Sequence, residues 1–165
     1  MDDIEEKIID IGHEIFKGYG VDDATAQILS ILNFESEISM AELAERTGYS
    51  RASISLKIKN IENFWGIKRI TKPGSRKTYL SMEKDLLDAF ALQIKYGYET
   101  ELNIAKMKIT PLIEEYKEKA TTQEQKTKLE TYENYLSEIN KFETLIQYIH
   151  AQIDYLKKNQ AESHP

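Results

Sequence analysis

The chain has 165 residues, 41% of them hydrophobic and 30% charged, with a formal net charge of −6, which describes a folding, well-solvated chain with room for one compact domain or for a small head and a helical arm. No cysteine is present, and prolines and glycines number only three and seven, which excludes disulfides, thiolate metal sites and cysteine nucleophiles and favours long helices over turns. There is no run of 18 apolar residues and no basic, then apolar leader, so no membrane partner is expected and a cytoplasmic location is.

The charge is unevenly spread. Residues 1–38 carry two Lys/Arg against ten Asp/Glu, residues 39–81 nine against three, and residues 82–165 eleven against fifteen. One basic segment inside an acidic chain aims one face at a polyanion and repels it elsewhere.

Taken in order, Ile4, Ile8, Ile11 and Ile15 recur at helical spacing and predict an amphipathic helix over 3–18, stopped by Gly18 and Gly20. Asp22 or Asp23 caps a second helix to about Phe34, with Ile28, Leu29, Ile31 and Leu32 as its apolar set. Ser39-Met40-Ala41-Glu42 is a capping box for a short helix to Thr47, with Leu43 and Ala44 turned inward and Gly48 ending it. Ser50 caps a fourth helix, Arg51 to about Phe64, whose apolar stripe is Ile54, Ile58 and Ile61. Helix, tight glycine turn and helix form a helix-turn-helix. At 100° per residue Ala52, Leu56, Lys59 and Asn63 lie opposite that stripe, with Arg51 and Ser55 on the flank. Two short strand-like runs, 66–71 and 77–80, then flank Pro73-Gly74 and predict a hairpin with Lys72, Arg76 and Lys77 at its tip, a basic wing.

From about Met82 to Lys158 the pattern is helical. Pro111 is expected to interrupt it, with Thr110 as cap and Pro111 at the first helical position. Thr121 or Thr122, with Glu124 or Gln125 three residues on, starts the last helix. Its apolar positions are Leu129, Tyr132, Leu136, Ile139, Phe142, Ile146, Ile149, Ile153 and Leu156. They read as one coiled-coil seam with a three-residue stammer near Ile139. About 35 residues make a rod of roughly 50 Å, too long to bury its seam against a small head. The expected organisation is a winged helix-turn-helix domain over 1–81, a helical dimerisation arm over 82–158 and a frayed tail over 159–165. The fold class is mainly α with a small β-hairpin wing.

The stretch ISMAELAERTGYSRASISLKIKNIENFWGIKRITKPGSRKTYL resembles the winged-helix core of the MarR superfamily of transcription regulators, and within it the GbsR-type branch. The resemblance is carried by ELAERTGYS, SISLKIKNIE and the wing PGSRKTYL, over about residues 38–81. Where that branch often has Asp between Gly and Arg in the wing, this chain has Ser75. The resemblance implies a homodimer built largely from terminal helices, with two heads on a palindromic operator.

Double-stranded DNA is therefore the expected partner, with the chain acting as a sequence-specific transcription regulator and binding as a homodimer. Ser50, Arg51, Ala52, Ser55, Leu56, Lys57 and Lys59 are the expected DNA-binding residues of the fourth helix. Arg51 suits guanine O6 and N7, Ala52 and Leu56 suit thymine methyls, and Lys57 and Lys59 suit phosphates. Lys72, Ser75, Arg76 and Lys77 are expected to bind through the wing, with Arg76 at the minor groove. Dimerisation is assigned to Ile4, Ile8, Leu129, Tyr132, Leu136, Ile139, Phe142, Ile146, Ile149 and Ile153. The alternative for the last helix is an intramolecular helical hairpin.

Trp65, Phe90, Tyr96 and Tyr98 allow an aromatic cage for an unidentified small-molecule effector, against plain packing. His13, His150 and His164 are scattered, without a metal-binding spacing. No phosphate loop or acid–base pair stands out, so no enzyme, cofactor or metal is expected. Two other functions fit a winged helix: a protein-interaction module, or an architectural chromatin protein with little sequence preference. The retained basic face argues against the first and the acidic net charge against the second.

Overall fold

The computed structural model describes residues 3–163. The elements are α1 (Asp3–Gly18), α2 (Asp23–Phe34), β1 (Ile38–Ser39), α3 (Met40–Thr47), α4 (Arg51–Trp65), β2 (Ile67–Thr71), β3 (Thr78–Met82), α5 (Leu86–Ile94), a π-helical turn (Lys95–Glu99), α6 (Thr100–Lys119) and α7 (Gln123–Ser163). The fold is thus mainly helical, with a small antiparallel sheet and a long C-terminal helix. Two compact units divide at Ala89/Phe90.

In the first unit the predicted caps are made. Asp22 is the N-cap of α2 and accepts from the Thr25 N–H at 3.1 Å. Ser39 accepts from the Glu42 N–H at 3.2 Å, and Ser50 from the Ser53 N–H at 3.2 Å. Gly48 closes α3 at φ 73°, a left-handed conformation that glycine adopts without the Cβ penalty of other residues. The expected hairpin gains a third strand. β1 pairs with β3, Ile38 opposite Leu80, and β3 pairs with β2, Leu80 opposite Arg69. Ile28, Leu29, Leu32, Ile38, Leu43, Ile54, Ile58 and Leu80 form the fully buried centre of the head. Each removes an aliphatic side chain from water, roughly 1.5–3 kcal/mol apiece before entropy is counted.

Helix α1 packs on α2 through its other face, not through its isoleucine stripe. Gly12 and Phe16 are buried, and a Cβ on Gly12 would lie 2.5 Å from Ser30 Oγ and 2.6 Å from the Phe34 ring. The Ser30 hydroxyl donates to the Ile9 carbonyl. Ile4, Ile8, Ile11 and Ile15 are left 63, 41, 58 and 55% exposed, a continuous apolar ridge along one side of the helix.

In the second unit, from Phe90 on, the end of α5, the π turn and α6 run on without a break, since the residues flanking the π turn keep right-handed helical dihedrals. This corrects the expectation at Pro111, which lies inside α6 and starts no helix. A proline there removes one helical hydrogen bond and crowds the preceding turn, at a cost of about 3 kcal/mol. Packing against α7 offsets it. Ile113 is buried, Tyr116 and Tyr132 stack edge-to-face at 5.6 Å, and Lys117 pairs with Glu133 at 3.0 Å. The irregularity sits instead at Lys95–Glu99, around Gly97.

Thr122 and Gln125 form the capping box of α7. Gln125 Oε1 accepts from the Thr121 and Thr122 N–H groups at 3.0 and 2.9 Å, and the Gln125 N–H donates to Thr122 Oγ1 at 3.2 Å. The helix continues past Lys158 to Ser163; residues 164 and 165 of the expected tail, His164 among them, lie outside the described residues. The single seam resolves into two. Ile139, Ile146 and Ile153, seven residues apart, are buried within the unit. Phe142, Ile149 and Leu156 form a second heptad row about 60° round the helix. Phe142 and Leu156 remain 36 and 46% exposed, as do Leu145 at 48% and Tyr148 at 62%. The row of Phe142, Ile149 and Leu156 is the less buried of the two.

Candidate nucleic-acid interface

Leu43 on α3 and Ile54 and Ile58 on α4 are fully buried, so α4 is held by one face and its opposite face is fixed outward. Arg51, Ala52, Leu56 and Lys59 are exposed there, with Ser50 at the N-terminus. Leu56 is 65% exposed, an aliphatic side chain presented to water among basic neighbours. At the N-terminus of α4, Ser50 uses its hydroxyl oxygen as the cap, so its hydroxyl hydrogen and the helix-end amides are what it offers an anion.

The wing turn is Lys72-Pro73-Gly74-Ser75, closed by Ser75 N–H donating to Lys72 O at 3.1 Å. Gly74 has φ 75°, which a type II turn requires at its third position. The Ser75 hydroxyl accepts from the Lys77 N–H at 3.0 Å and so shapes the tip. Arg76 and Lys77 project exposed beyond it.

The basic residues of 39–81 fall into two sets. Five are paired. Arg46 bonds Glu35; Lys68 meets Glu83 at 3.3 Å, Arg69 meets Glu62 at 3.1 Å, Lys57 meets Asp22 at 2.7 Å and Lys72 meets Glu37 at 2.5 Å. Lys72 also lies 4.3 Å over the Tyr79 ring. The remaining four, Arg51, Lys59, Arg76 and Lys77, make no ion pair among the described residues. Lys57, expected at a phosphate, and Lys72, expected to bind DNA through the wing, are thus held by carboxylates of the protein itself. Lys57 holds the Asp22 carboxyl down to about 2 from 3.8, helped by the Thr25 hydroxyl. Glu37, bonded to Lys72, raises the Lys72 ammonium above its usual value. Sequence alone hides both, because Lys57 and Asp22 lie 35 residues apart.

Arg69 was not foreseen as part of this face. Its guanidinium reaches from β2 to α4 and donates to Glu62 Oε2 at 3.1 Å, to Ser55 Oγ at 3.3 Å and to the Ser55 carbonyl at 3.3 Å. Ser55 is half-buried beneath it. Strand alternation puts Arg69 on the face of buried Ile67, and nothing local pointed to position 55.

The junction after β3 is held by Lys84. Its ammonium, pushed below its usual value by burial, donates to the carbonyls of Leu32 and Asn33 at the C-terminus of α2, the latter at 2.7 Å, where a cation complements the helix dipole.

Trp65 is only 5% exposed and is enclosed by Phe16, Tyr19 and Phe64 at 5.2, 5.1 and 5.2 Å between ring centres. Tyr98 stacks on Phe142 at 5.6 Å. Both are packing residues. His13 lies beside Asp23 at 3.2 Å and His150 beside Glu99 at 2.8 Å. Among the described residues no group of three or more His, Asp and Glu is placed to hold a metal ion, and no helix is long and apolar enough to cross a membrane.

No protein-family model matches the chain, and no curated protein matches it. Solved structures do. A crystal structure of a transcriptional regulator superposes with a TM-score of 0.65 at 15% identity, over 93% of this chain and 98% of that one. AbsC, a MarR family transcriptional regulator from Streptomyces coelicolor, gives 0.39 at 16% identity over 68% and 87%. The transcriptional regulator Tm0710 from Thermotoga maritima gives 0.40 at 16% over 86% and 91%. The first likeness spans nearly all of both chains and carries the conclusion: this chain has a winged helix-turn-helix fold with long C-terminal helices, shared with a protein described as a transcriptional regulator.

Proposed function

We propose that the protein is a sequence-specific double-stranded DNA-binding transcription regulator of the MarR superfamily, and by sequence resemblance of its GbsR-type branch, acting as a homodimer on a palindromic operator. The carrying observation is that the four unpaired cations of the basic segment, Arg51, Lys59, Arg76 and Lys77, all lie on α4 or the wing tip. Helix α4 enters the major groove, with Arg51 at a guanine edge and Ala52 and Leu56 against thymine methyls. Lys59 and Lys77 hold phosphates, and Arg76 enters the minor groove.

Two apolar surfaces support dimerisation. One is the α1 ridge, Ile4, Ile8, Ile11 and Ile15. The other is the outer row of α7, Phe142, Leu145, Ile149 and Leu156. Ile139, Ile146 and Ile153, assigned to dimerisation from sequence, are already buried within one chain. A two-fold dimer sets its recognition helices about 34–36 Å apart, one turn of B-DNA.

The test is selection of duplexes from a random-sequence pool, followed by titration of matched and scrambled sites with wild type and Arg51→Ala. A dyad-symmetric motif is expected, with Arg51→Ala relaxing preference at a G·C pair in each half-site. Equal affinity for matched and scrambled DNA at physiological salt overturns the reading in favour of an architectural role. No binding to either points to a protein-interaction module.

A further inference from the structure

We infer that Arg69 is a positioning residue that determines base preference, because it commits the Ser55 hydroxyl to reading a base as a hydrogen-bond donor. The inference rests on the DNA-binding role proposed above. The guanidinium lies along the flank of α4 and spends three N–H groups there, Nε on Glu62 Oε2, Nη1 on Ser55 Oγ and Nη2 on the Ser55 carbonyl, at 3.1, 3.3 and 3.3 Å. The carbonyl contact registers the fork on residue 55 itself. The Glu62 contact, seven residues on and hence two turns away, holds it there and neutralises its charge.

The consequence for Ser55 follows from hydrogen-bond inventory. A serine hydroxyl has one O–H and two lone pairs, while a guanidinium has donors only. Arg69 therefore consumes accepting capacity of Ser55 on the side facing β2. The O–H and one lone pair are left for the groove, and the cationic donor already bonded to Oγ polarises the hydroxyl, which strengthens its O–H as a donor and weakens the second lone pair as an acceptor. Along the major groove guanine N7 and O6, adenine N7 and thymine O4 are acceptors, whereas cytosine presents its N4 amino donor. A Ser55 restricted in this way favours an acceptor and disfavours cytosine at one position per half-site. An unrestricted serine satisfies either. The same contacts tie β2 to α4, so wing and recognition helix meet DNA as one rigid piece.

The test uses the full-length protein and operators selected from a random-sequence duplex pool by the wild type. Base preference at every operator position is then measured for wild type, Arg69→Met, Arg69→Lys, Glu62→Gln, Ser55→Ala and the Arg69→Met/Ser55→Ala double variant. Discrimination against cytosine is expected to fall about fivefold, the worth of one hydrogen bond, at the same single position in Arg69→Met and Ser55→Ala. The double variant should lose no more. Glu62→Gln should give a partial loss there, and Arg69→Lys, which lacks the fork, should not restore it. Thermal melting identifies any variant that fails to fold, and Glu62→Gln carries the test if Arg69→Met does. A uniform loss of affinity on every sequence, or additive losses in the double variant, overturns the inference and leaves the DNA-binding role standing. A wild-type protein that enriches no motif overturns both.

Discussion

Salt dependence of DNA binding separates the cations that face DNA from those the protein neutralises. Of the nine Lys and Arg in residues 39–81, five have a carboxylate partner within the head, leaving Arg51, Lys59, Arg76 and Lys77. If all four neutralise phosphate charge, at the backbone or from within a groove, a dimer displaces about eight counterions' worth of charge, and on B-DNA log affinity falls with log salt at a slope near −7. Raising salt fourfold, from about 50 to 200 mM, then weakens binding by roughly 10⁴-fold. Arg76→Ala removes one contact per head and should flatten the slope to about −5. Lys72→Ala should leave it unchanged, because the Lys72 ammonium is already held by Glu37 and the Tyr79 ring. The assay is fluorescence anisotropy of a labelled operator at four or more salt concentrations. A wild-type slope shallower than about −3, or equal flattening by Lys72→Ala and Arg76→Ala, would refute the partition.

Asp22 gives a second prediction. Folding lowers its carboxyl from 3.8 to about 2, so its stabilisation is complete above pH 3.8 and is lost as pH falls towards 2. Asp22 is largely exposed, which screens the gain to on the order of 1 kcal/mol. Asp22→Asn should flatten urea stability across that interval; it should also release Lys57 and steepen the salt slope, and an unaltered slope would place Lys57 away from DNA in any state. Gly12→Ala should cost about 1–3 kcal/mol in thermal or urea unfolding, because the new methyl meets Ser30 and Phe34; a neutral effect would mean that α1 slides on α2. Ile8→Asp should shift sedimentation from dimer to monomer while leaving the helical circular dichroism intact, since Ile8 is 41% exposed within one chain; an unchanged dimer would put the interface elsewhere.

Much of the head was legible from residues, because its signals are local. A cap and its amide lie three residues apart, as for Ser39 with Glu42 and Ser50 with Ser53, and a Pro-Gly turn declares itself between its strands. What escaped is what depends on distant partners. Local propensity argued that Pro111 starts a helix, but contacts with α7 outweighed it. Lys57 and Lys72 look like any other surface cations until Asp22 and Glu37 are brought beside them. The Arg69 fork joins residues 14 apart on different elements, and no spacing rule reaches that far. On α7, one list of apolar positions held two rows, and only burial told them apart.

Those two rows constrain how the arm can evolve. Each repeats every seven residues and they sit three residues out of phase. Gaining or losing a full heptad from α7, matched along α6, leaves both in place. Removing three residues would instead turn Phe142 and Ile149 towards the chain's own hairpin and expose the isoleucines that close it. Changes in arm length should therefore come in sevens among close relatives, while the wing, free of any such periodicity, can lengthen one residue at a time.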